Sequence, residues 1–184
     1  CFILKRSPEF KNNVGATGTA MYFSNGSTVT MNTVSVTDNT ASSAGVIYSN
    51  AGTIEMTDVT ASGNKSHNGG VLYLSGDVKV TVNDGTYTGN SASNLGGVIH
   101  CRTSGGVTVN GGTYTGNTAL SGGAFCADTN SSLTINNAVI SENESTFVNP
   151  DSSGTYNSQM GGGAVSITGG SLTVSGTSFS KNKS

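Results

Sequence analysis

An asparagine that recurs at a nearly constant interval constrains this chain more than any other feature. Successive members of the series stand 26, 25, 26, 27, 26 and 39 residues apart. Self-similarity at a fixed period of this size is typical of solenoids, in which one structural unit stacks on copies of itself. The sequence therefore predicts six to seven coils of about 26 residues. The series comprises Asn13, Asn39, Asn64, Asn90, Asn117, Asn143 and Asn182.

Each period contains short alternating stretches that predict strands rather than helices. Apolar residues stand three, eight and ten places before the asparagines, as Tyr87, Val82 and Val80 do before Asn90. Alternation with a period of two, bounded by Gly, Asn and Ser, indicates strands and turns. Three short strands per coil predict an all-β fold, a single-stranded parallel β-helix. Because connections between parallel strands are right-handed in nearly all proteins, we expect a right-handed solenoid.

The repeated asparagines are predicted to belong to the scaffold. A residue at the same bend of every coil lies directly above its copy, so an inward asparagine can bond to the next asparagine and to turn backbone groups. Buried polar groups need partners of this kind. We therefore expect an internal structural ladder rather than a set of ligands, formed by Asn39, Asn64, Asn90, Asn117, Asn143 and Asn182.

Composition limits the partners that such a rod can have. Charged residues make up 10% of the chain and the formal net charge is -2, without basic clusters, which argues against nucleic acid and anionic membrane as partners. No run approaches the roughly 18 apolar residues of a membrane span. Polar caps are not evident on the terminal coils. Residues 1–184 are therefore predicted to form a single β-helix segment of a longer protein.

A catalytic site is not predicted. β-Helix hydrolases and lyases need convergent carboxylates, or a carboxylate with Arg or Lys, on adjacent coils, whereas the 10 acidic residues here occupy scattered positions in the repeat. His100 lies in an apolar strand, and no Ser, Asp or metal partner stands at a useful spacing. Cys101 and Cys126 are predicted to be small buried thiols, since a disulfide between them is disfavoured. Without a C-x-x-C or Cys/His cluster, neither a metal nor a cofactor is expected.

The interval before Asn182 is longer than the others, at 39 residues, and the surplus falls within residues 144–160. Insertions in solenoids map to loops and often to the binding face. Exposed aromatic and polar residues there could form a small recognition surface, with Phe147, Asn149, Asp151 and Tyr156 as the binding residues. The alternative is that this segment packs back over the rod, with its two aromatic residues as anchors.

Two short motifs resemble those of a known family. The first is a glycine step followed by small apolar residues: Gly69-Gly70-Val71-Leu72, Gly96-Gly97-Val98-Ile99, Gly122-Gly123-Ala124-Phe125 and Gly162-Gly163-Ala164-Val165. The second ends in the repeated asparagine: Phe10-x-x-Asn13, Tyr87-x-x-Asn90, Tyr114-x-x-Asn117, Ile140-x-x-Asn143 and Phe179-x-x-Asn182. These phrases resemble the paired GGA-I/L/V and FxxN repeats of chlamydial polymorphic outer membrane proteins, and also adhesin-like surface proteins of gut methanogens. The early coils depart from this pattern because they lack the double glycine.

The resemblance implies an extracellular passenger or stalk at an outer membrane or cell wall, with its membrane anchor outside these residues. It implies a non-catalytic adhesin that contacts a receptor or glycan on a host or neighbouring cell. A carbohydrate-active or carbohydrate-binding β-helix of the lyase, hydrolase or tailspike kind is the alternative, because fold alone does not fix function. A third possibility is a self-assembling fibre subunit joined through its coil ends. A row of outward threonines also resembles the ice-binding faces of insect antifreeze proteins, although Glu55 and Lys79 interrupt the array.

Overall fold

A computed structural model describes residues 2–4, 7–147 and 161–184 of the chain. All regular structure within these ranges is β-strand, and the strands pair in parallel. The strands stack into three sheets that run along the molecule. The predicted parallel β-helix is therefore confirmed. Five successive turns of 26, 25, 26, 27 and 26 residues are followed by one of 39 residues.

The largest sheet, which we call the long sheet, has 12 strands and takes two strand segments from a typical coil. The first segments are Phe2–Leu4, Ser27–Asn32, Gly106–Asn110, Ser132–Asn136 and Ser171–Ser175. The second segments are Glu9–Lys11, Ser35–Thr37, Thr113–Thr115, Val139–Ser141 and Ser178–Ser180. In two coils both segments merge into single strands, Gly52–Ser62 and Val78–Thr88.

Two six-stranded sheets complete the rod. The small-residue sheet follows the repeated asparagine and consists of Val14–Thr17, Thr40–Ala44, Lys65–Asn68, Ser91–Leu95, Thr118–Ala119 and Glu144–Ser145. The tyrosine sheet follows the glycine step and consists of Met21–Phe23, Ile47–Ser49, Leu72–Leu74, Ile99–Cys101, Phe125–Ala127 and Val165–Ile167.

A typical coil thus contains four strand segments, and the prediction of three was wrong. The missed segment is the one in the small-residue sheet. Its strands bury only small side chains, such as Ala41, Ser66 and Ala92. Strands of this kind show no clear alternation of apolar and polar residues, which is the pattern that predicts a half-buried strand.

The three apolar positions of each period form the core. From the second coil to the sixth the residues at these positions are buried: Val29, Met31, Val36, Ile54, Met56, Ala61, Val80, Val82, Tyr87, Val107, Val109, Tyr114, Leu133, Ile135 and Ile140. Burying one large apolar side chain stabilises a fold by about 1.5–3 kcal/mol. In the last coil, Leu172, Val174 and Phe179 are 43%, 42% and 44% exposed. Each coil therefore depends on its neighbours to cover its apolar side chains.

The asparagines form a continuous row of hydrogen bonds inside the rod, the asparagine ladder. Asn90 Nδ2 donates to Asn117 Oδ1 and to the Ala61 carbonyl, both at 3.0 Å. Its Oδ1 accepts bonds from Nδ2 and the backbone N–H of Asn64, at 2.9 and 3.1 Å. All four hydrogen-bonding sites of the carboxamide are thus occupied. The same pattern recurs at Asn39, Asn64, Asn117 and Asn143.

A pair of glycines leads the chain into the tyrosine sheet. The first glycine has a positive φ, for example 64° at Gly96, which side chains other than hydrogen disfavour. The second glycine has no space for a side chain, since a Cβ on Gly97 would overlap the carbonyl oxygen of Gly123 in the next coil. The first glycine of each pair is therefore required for its backbone conformation, and the second is required because the next coil lies too close for a side chain.

The predicted insertion at residues 144–160 begins later than expected. Glu144 and Ser145 pair with the preceding coil as a strand of the small-residue sheet, so they belong to the rod. The regular coil is present again at Gly161, whose carbonyl accepts a backbone hydrogen bond from that same preceding coil at 3.0 Å. Residues 148–160 lie outside the described part of the chain.

Candidate functional site

Of the four predicted binding residues, one lies within the described residues. Phe147 is half-buried, and its backbone nitrogen lies 3.5 Å from Ser145 Oγ. Asn149, Asp151 and Tyr156 fall outside the described residues. The role of this segment in binding stays a prediction.

A second surface lies on the outer side of the tyrosine sheet. The strand registers align Tyr22, Tyr48, Tyr73, His100 and Cys126 in one row, which we call the outer column. The first two rings stack with centroids 4.7 Å apart, and the second and third with centroids 5.9 Å apart. The histidine ring packs edge-on against the third tyrosine at 5.2 Å. Each such pair contributes about 0.5–1.5 kcal/mol beyond its buried area, so the column reinforces the stacking of the coils.

The outer column becomes more enclosed along its length. Tyr22 is 56% exposed, whereas His100 is 3% and Cys126 2% exposed. Outward positions of a β-helix are normally the solvated ones, because alternate residues of a strand face opposite sides of a sheet. The column thus runs from an open aromatic surface into a buried polar cluster.

Sequence reasoning did not single out the outer column, although a signal for it is present. Tyr73, His100 and Cys126 each stand four places after the first glycine of a glycine pair. Counting from the glycines would have placed them in one row. Their chemistry differs from coil to coil, however, so the row does not stand out as a repeated residue type.

A polar groove opens beside the enclosed end of the column. Its volume is about 460 Å³, and it is lined by Asn94, Leu95, Arg102, Thr103, Asp128, Thr129 and Thr168. Arg102 Nη1 donates to the Tyr73 hydroxyl at 3.3 Å, which connects the groove to the column. Its volume falls within the range of about 300–1,000 Å³ that is typical of small-ligand sites. The groove presents a guanidinium, an amide, hydroxyls and a carboxylate, so it can both donate and accept hydrogen bonds.

A cluster of three side chains joins the column to the groove. His100 Nε2 lies 2.9 Å from Asp128 Oδ2, and Cys126 Sγ lies 3.7 Å from Asp128 Oδ1. The three ligand atoms lie within 4.8 Å of one another. The expectation that His100 has no Asp partner was therefore wrong. The two residues are 28 positions apart in sequence but lie on adjacent coils. Imidazole, thiol and carboxylate together are a set that can hold a metal ion.

The two described cysteines are buried and free, in agreement with the prediction. Cys101 faces the core, and its register partner is Ala127, whereas Cys126 pairs with His100 on the outer side. Burial raises the pKa of both thiols. At Cys126, burial and the charge of Asp128 raise the pKa to about 12. Both groups are therefore protonated near neutral pH, and neither has the lowered pKa of an activated nucleophile.

Two further surface features are solvated parts of the scaffold. Lys181 Nζ lies 3.4 Å from Glu142 Oε1, but both side chains are largely exposed, and surface pairs of this kind contribute little. The outward threonines Thr81, Thr108 and Thr134 are in register, whereas Glu55 occupies the same row one coil earlier. The predicted interruption of the threonine row is thus present.

No helix long and apolar enough to cross a membrane occurs in residues 2–4, 7–147 and 161–184. Comparison of the chain with family models, curated proteins and solved structures found no match in any of the three. The resemblance to outer membrane and adhesin-like repeats therefore stays a prediction that depends on the glycine and asparagine motifs.

Proposed function

We propose that this chain is an extracellular, surface-displayed β-solenoid segment that acts as a non-catalytic adhesin or structural stalk and binds a glycan in the polar groove. The observation that carries the proposal is the placement of Arg102 and Asp128 in a hollow on the outside of the rod. The buried asparagines bond to one another and to backbone, so they have no capacity left for a ligand. In the groove, by contrast, the polar groups of the lining residues face outward.

A stacked rod is well suited to a role as a stalk. Its core is continuous from coil to coil, and coils that contact only their neighbours can be extended without a change of architecture. The asparagine ladder adds a row of satisfied hydrogen bonds along the same axis. Distance from an anchoring surface therefore scales with the number of coils.

A glycan matches the chemistry of the groove better than a nucleic acid does. Arg102, Asp128 and the amide of Asn94 supply charge-assisted and neutral hydrogen bonds to hydroxyl groups. The buried Tyr73 hydroxyl accepts a hydrogen bond from Arg102 and so helps to hold the guanidinium at the groove. Phosphate backbones call for several cations. Arg102 is the one cation among the described residues that line the groove.

The groove lining also supports a binding role rather than hydrolysis. Glycosidases use two carboxyl groups, about 5–5.5 Å apart in retaining enzymes and about 6.5–9.5 Å apart in inverting ones. Among the described lining residues, Asp128 is the one carboxylate, and His100 occupies one of its oxygens. The alternative of a carbohydrate-active enzyme would need a second carboxylate from elsewhere.

A glycan array with the purified chain tests the proposal, with Arg102→Ala as the groove variant. Loss of one charge-assisted hydrogen bond costs about 1.5–3 kcal/mol, so we expect binding to weaken at least about tenfold. Lys79→Ala is the matched control, because this exposed cation lies on the long sheet, away from the groove. Its binding should equal that of the wild type. Equal binding by both variants and the wild type, or no binding by the wild type, would contradict the proposal. Release of shortened glycans would replace it with an enzymatic function.

A second variant separates the groove from the predicted insertion. Phe147, Asn149, Asp151 and Tyr156 are replaced together by alanine. Retained binding in this variant, with loss in Arg102→Ala, places the ligand in the groove. The reverse result moves the binding site to the predicted insertion, including Phe147, and overturns the groove assignment.

A further inference from the structure

We propose that His100, Cys126 and Asp128 form a binding site for a thiophilic divalent cation of the Zn²⁺ class. The residues come from two adjacent coils, since His100 and Cys126 are register partners and Asp128 follows the latter strand. This proposal is independent of glycan binding.

The spacing of the three ligand atoms fits such a cation. Zinc is bound at about 2.0–2.3 Å by nitrogen, oxygen and sulfur in a tetrahedral arrangement, which separates neighbouring ligand atoms by roughly 3.5 Å. His100 Nε2 lies 2.9 Å from one carboxylate oxygen of Asp128, Oδ2, and Cys126 Sγ lies 3.7 Å from the other, Oδ1. One ligand atom from each of the three residues lies within 4.8 Å of the other two.

The identity of the ligands selects the kind of cation. Calcium and magnesium prefer oxygen ligands, whereas a site with one imidazole, one thiolate and one carboxylate suits zinc and related transition metals. Three protein ligands leave a fourth position open for water. Asp128 also lines the polar groove, so that position can be reached from solvent.

Packing alone does not account for a histidine at this place. His100 is 3% exposed, and its Nδ1 has no hydrogen-bond partner among the described residues. A buried polar atom without a partner costs about 1–3 kcal/mol. One coil earlier the same row holds Tyr73, which stacks in the column without a buried unpaired atom. Stacking therefore does not explain a histidine here, whereas Nε2 of the same ring faces Asp128 and is the atom that a cation would use.

Cysteine binds such a cation as the thiolate. Coordination by Cys126 would therefore displace the thiol proton to solvent.

Titration with Co²⁺ as a spectroscopic probe, followed by displacement with Zn²⁺, tests the site. The reduced chain is used in a Cys1→Ser background, because an N-terminal cysteine can chelate metals by itself. We expect one equivalent of Co²⁺ to produce a thiolate-to-cobalt charge-transfer band in the near ultraviolet, which Zn²⁺ abolishes. Cys126→Ser and His100→Gln should each lose the band. Their affinity for Zn²⁺ should fall at least about tenfold, since even loss of an outer partner of a metal ligand lowers affinity by about 10–100-fold.

Cys101→Ala is the matched control, since this cysteine is equally buried but faces the core. It should keep the band and the affinity. Far-ultraviolet circular dichroism establishes that each variant is folded. A band that persists in folded Cys126→Ser, a band that disappears in folded Cys101→Ala, or no saturable binding by the parent chain would overturn the proposal.

Discussion

At the scale of the residue, the asparagine ladder makes each buried carboxamide depend on the coils before and after it. Asn90 satisfies groups on Asn64, Asn117 and Ala61 at once. A single asparagine in an apolar core would be destabilising, because its amide would lack partners. Within the series it becomes a connection between three coils.

We expect Asn90→Ala to lower the free energy of unfolding by at least about 3 kcal/mol, because several buried groups lose their partner and each costs about 1–3 kcal/mol. Urea denaturation followed by circular dichroism measures the change. Asn110→Ala is the control, since Asn110 is an exposed asparagine bonded to Asn83 on the outside of the rod. Its stability should change by less than about 0.5 kcal/mol. Similar losses in both variants would contradict the role assigned to the ladder.

The ladder could be predicted from the sequence, whereas the His100–Asp128 contact could not. Each ladder member is an asparagine at a fixed position in the period, so its partner is another asparagine one period away. The histidine is 28 residues from its aspartate, a separation that differs from the period. Contacts between unlike positions of adjacent coils depend on how the turns place side chains, and periodicity carries no information about that.

At the scale of the element, the four strand segments of a coil differ in how strongly the sequence marks them. The long sheet was predictable because Val, Ile and Tyr alternate with Thr and Asn along its strands. The small-residue sheet was not, because its inward residues are Ala and Ser. The register of its strands is therefore set by the neighbouring strands of the other two sheets in each coil rather than by its own side chains.

The glycine pair provides a test of how closely adjacent coils approach. We expect Gly97→Ala to lower stability by about 1–3 kcal/mol or more, because the added Cβ overlaps backbone of the next coil. Gly106→Ala is the control: its Cβ would meet only the hydroxyl of Ser132, at the end of a side chain that can rotate. That variant should stay within about 1 kcal/mol of the wild type. Thermal denaturation of both variants gives the comparison, and equal stability would argue against close backbone contact.

At the scale of the whole molecule, the repeated residues determine the architecture, whereas the groups that could bind a ligand are residues that do not repeat. The core, ladder and glycine corners repeat in most coils, whereas His100, Arg102 and Asp128 each occur once in their rows. The repeat in the sequence therefore predicts the fold but not the groove. Arg102 and Asp128 each follow directly after a strand of the tyrosine sheet, outside regular secondary structure.

The exposed apolar side chains of the last coil lead us to expect self-association of the purified chain. Leu172, Val174 and Phe179 occupy positions that are buried in earlier coils, and a second copy could cover them. Light scattering should show an average mass that rises with concentration. Leu172→Glu should reduce the rise, whereas Thr173→Glu, on the outer side of the same strand, should not. A constant monomer mass across the series, or equal effects of the two variants, would rule out this contact.

The asparagine ladder also gives the rod a chemical direction. Each carboxamide oxygen accepts from the coil before it, and each amide nitrogen donates to the oxygen of the coil after it. The Asn13 and Asn182 ends are therefore unlike, and copies that continue the row must point the same way. A head-to-tail contact of this kind does not close on itself, so growth would yield an open, polar filament.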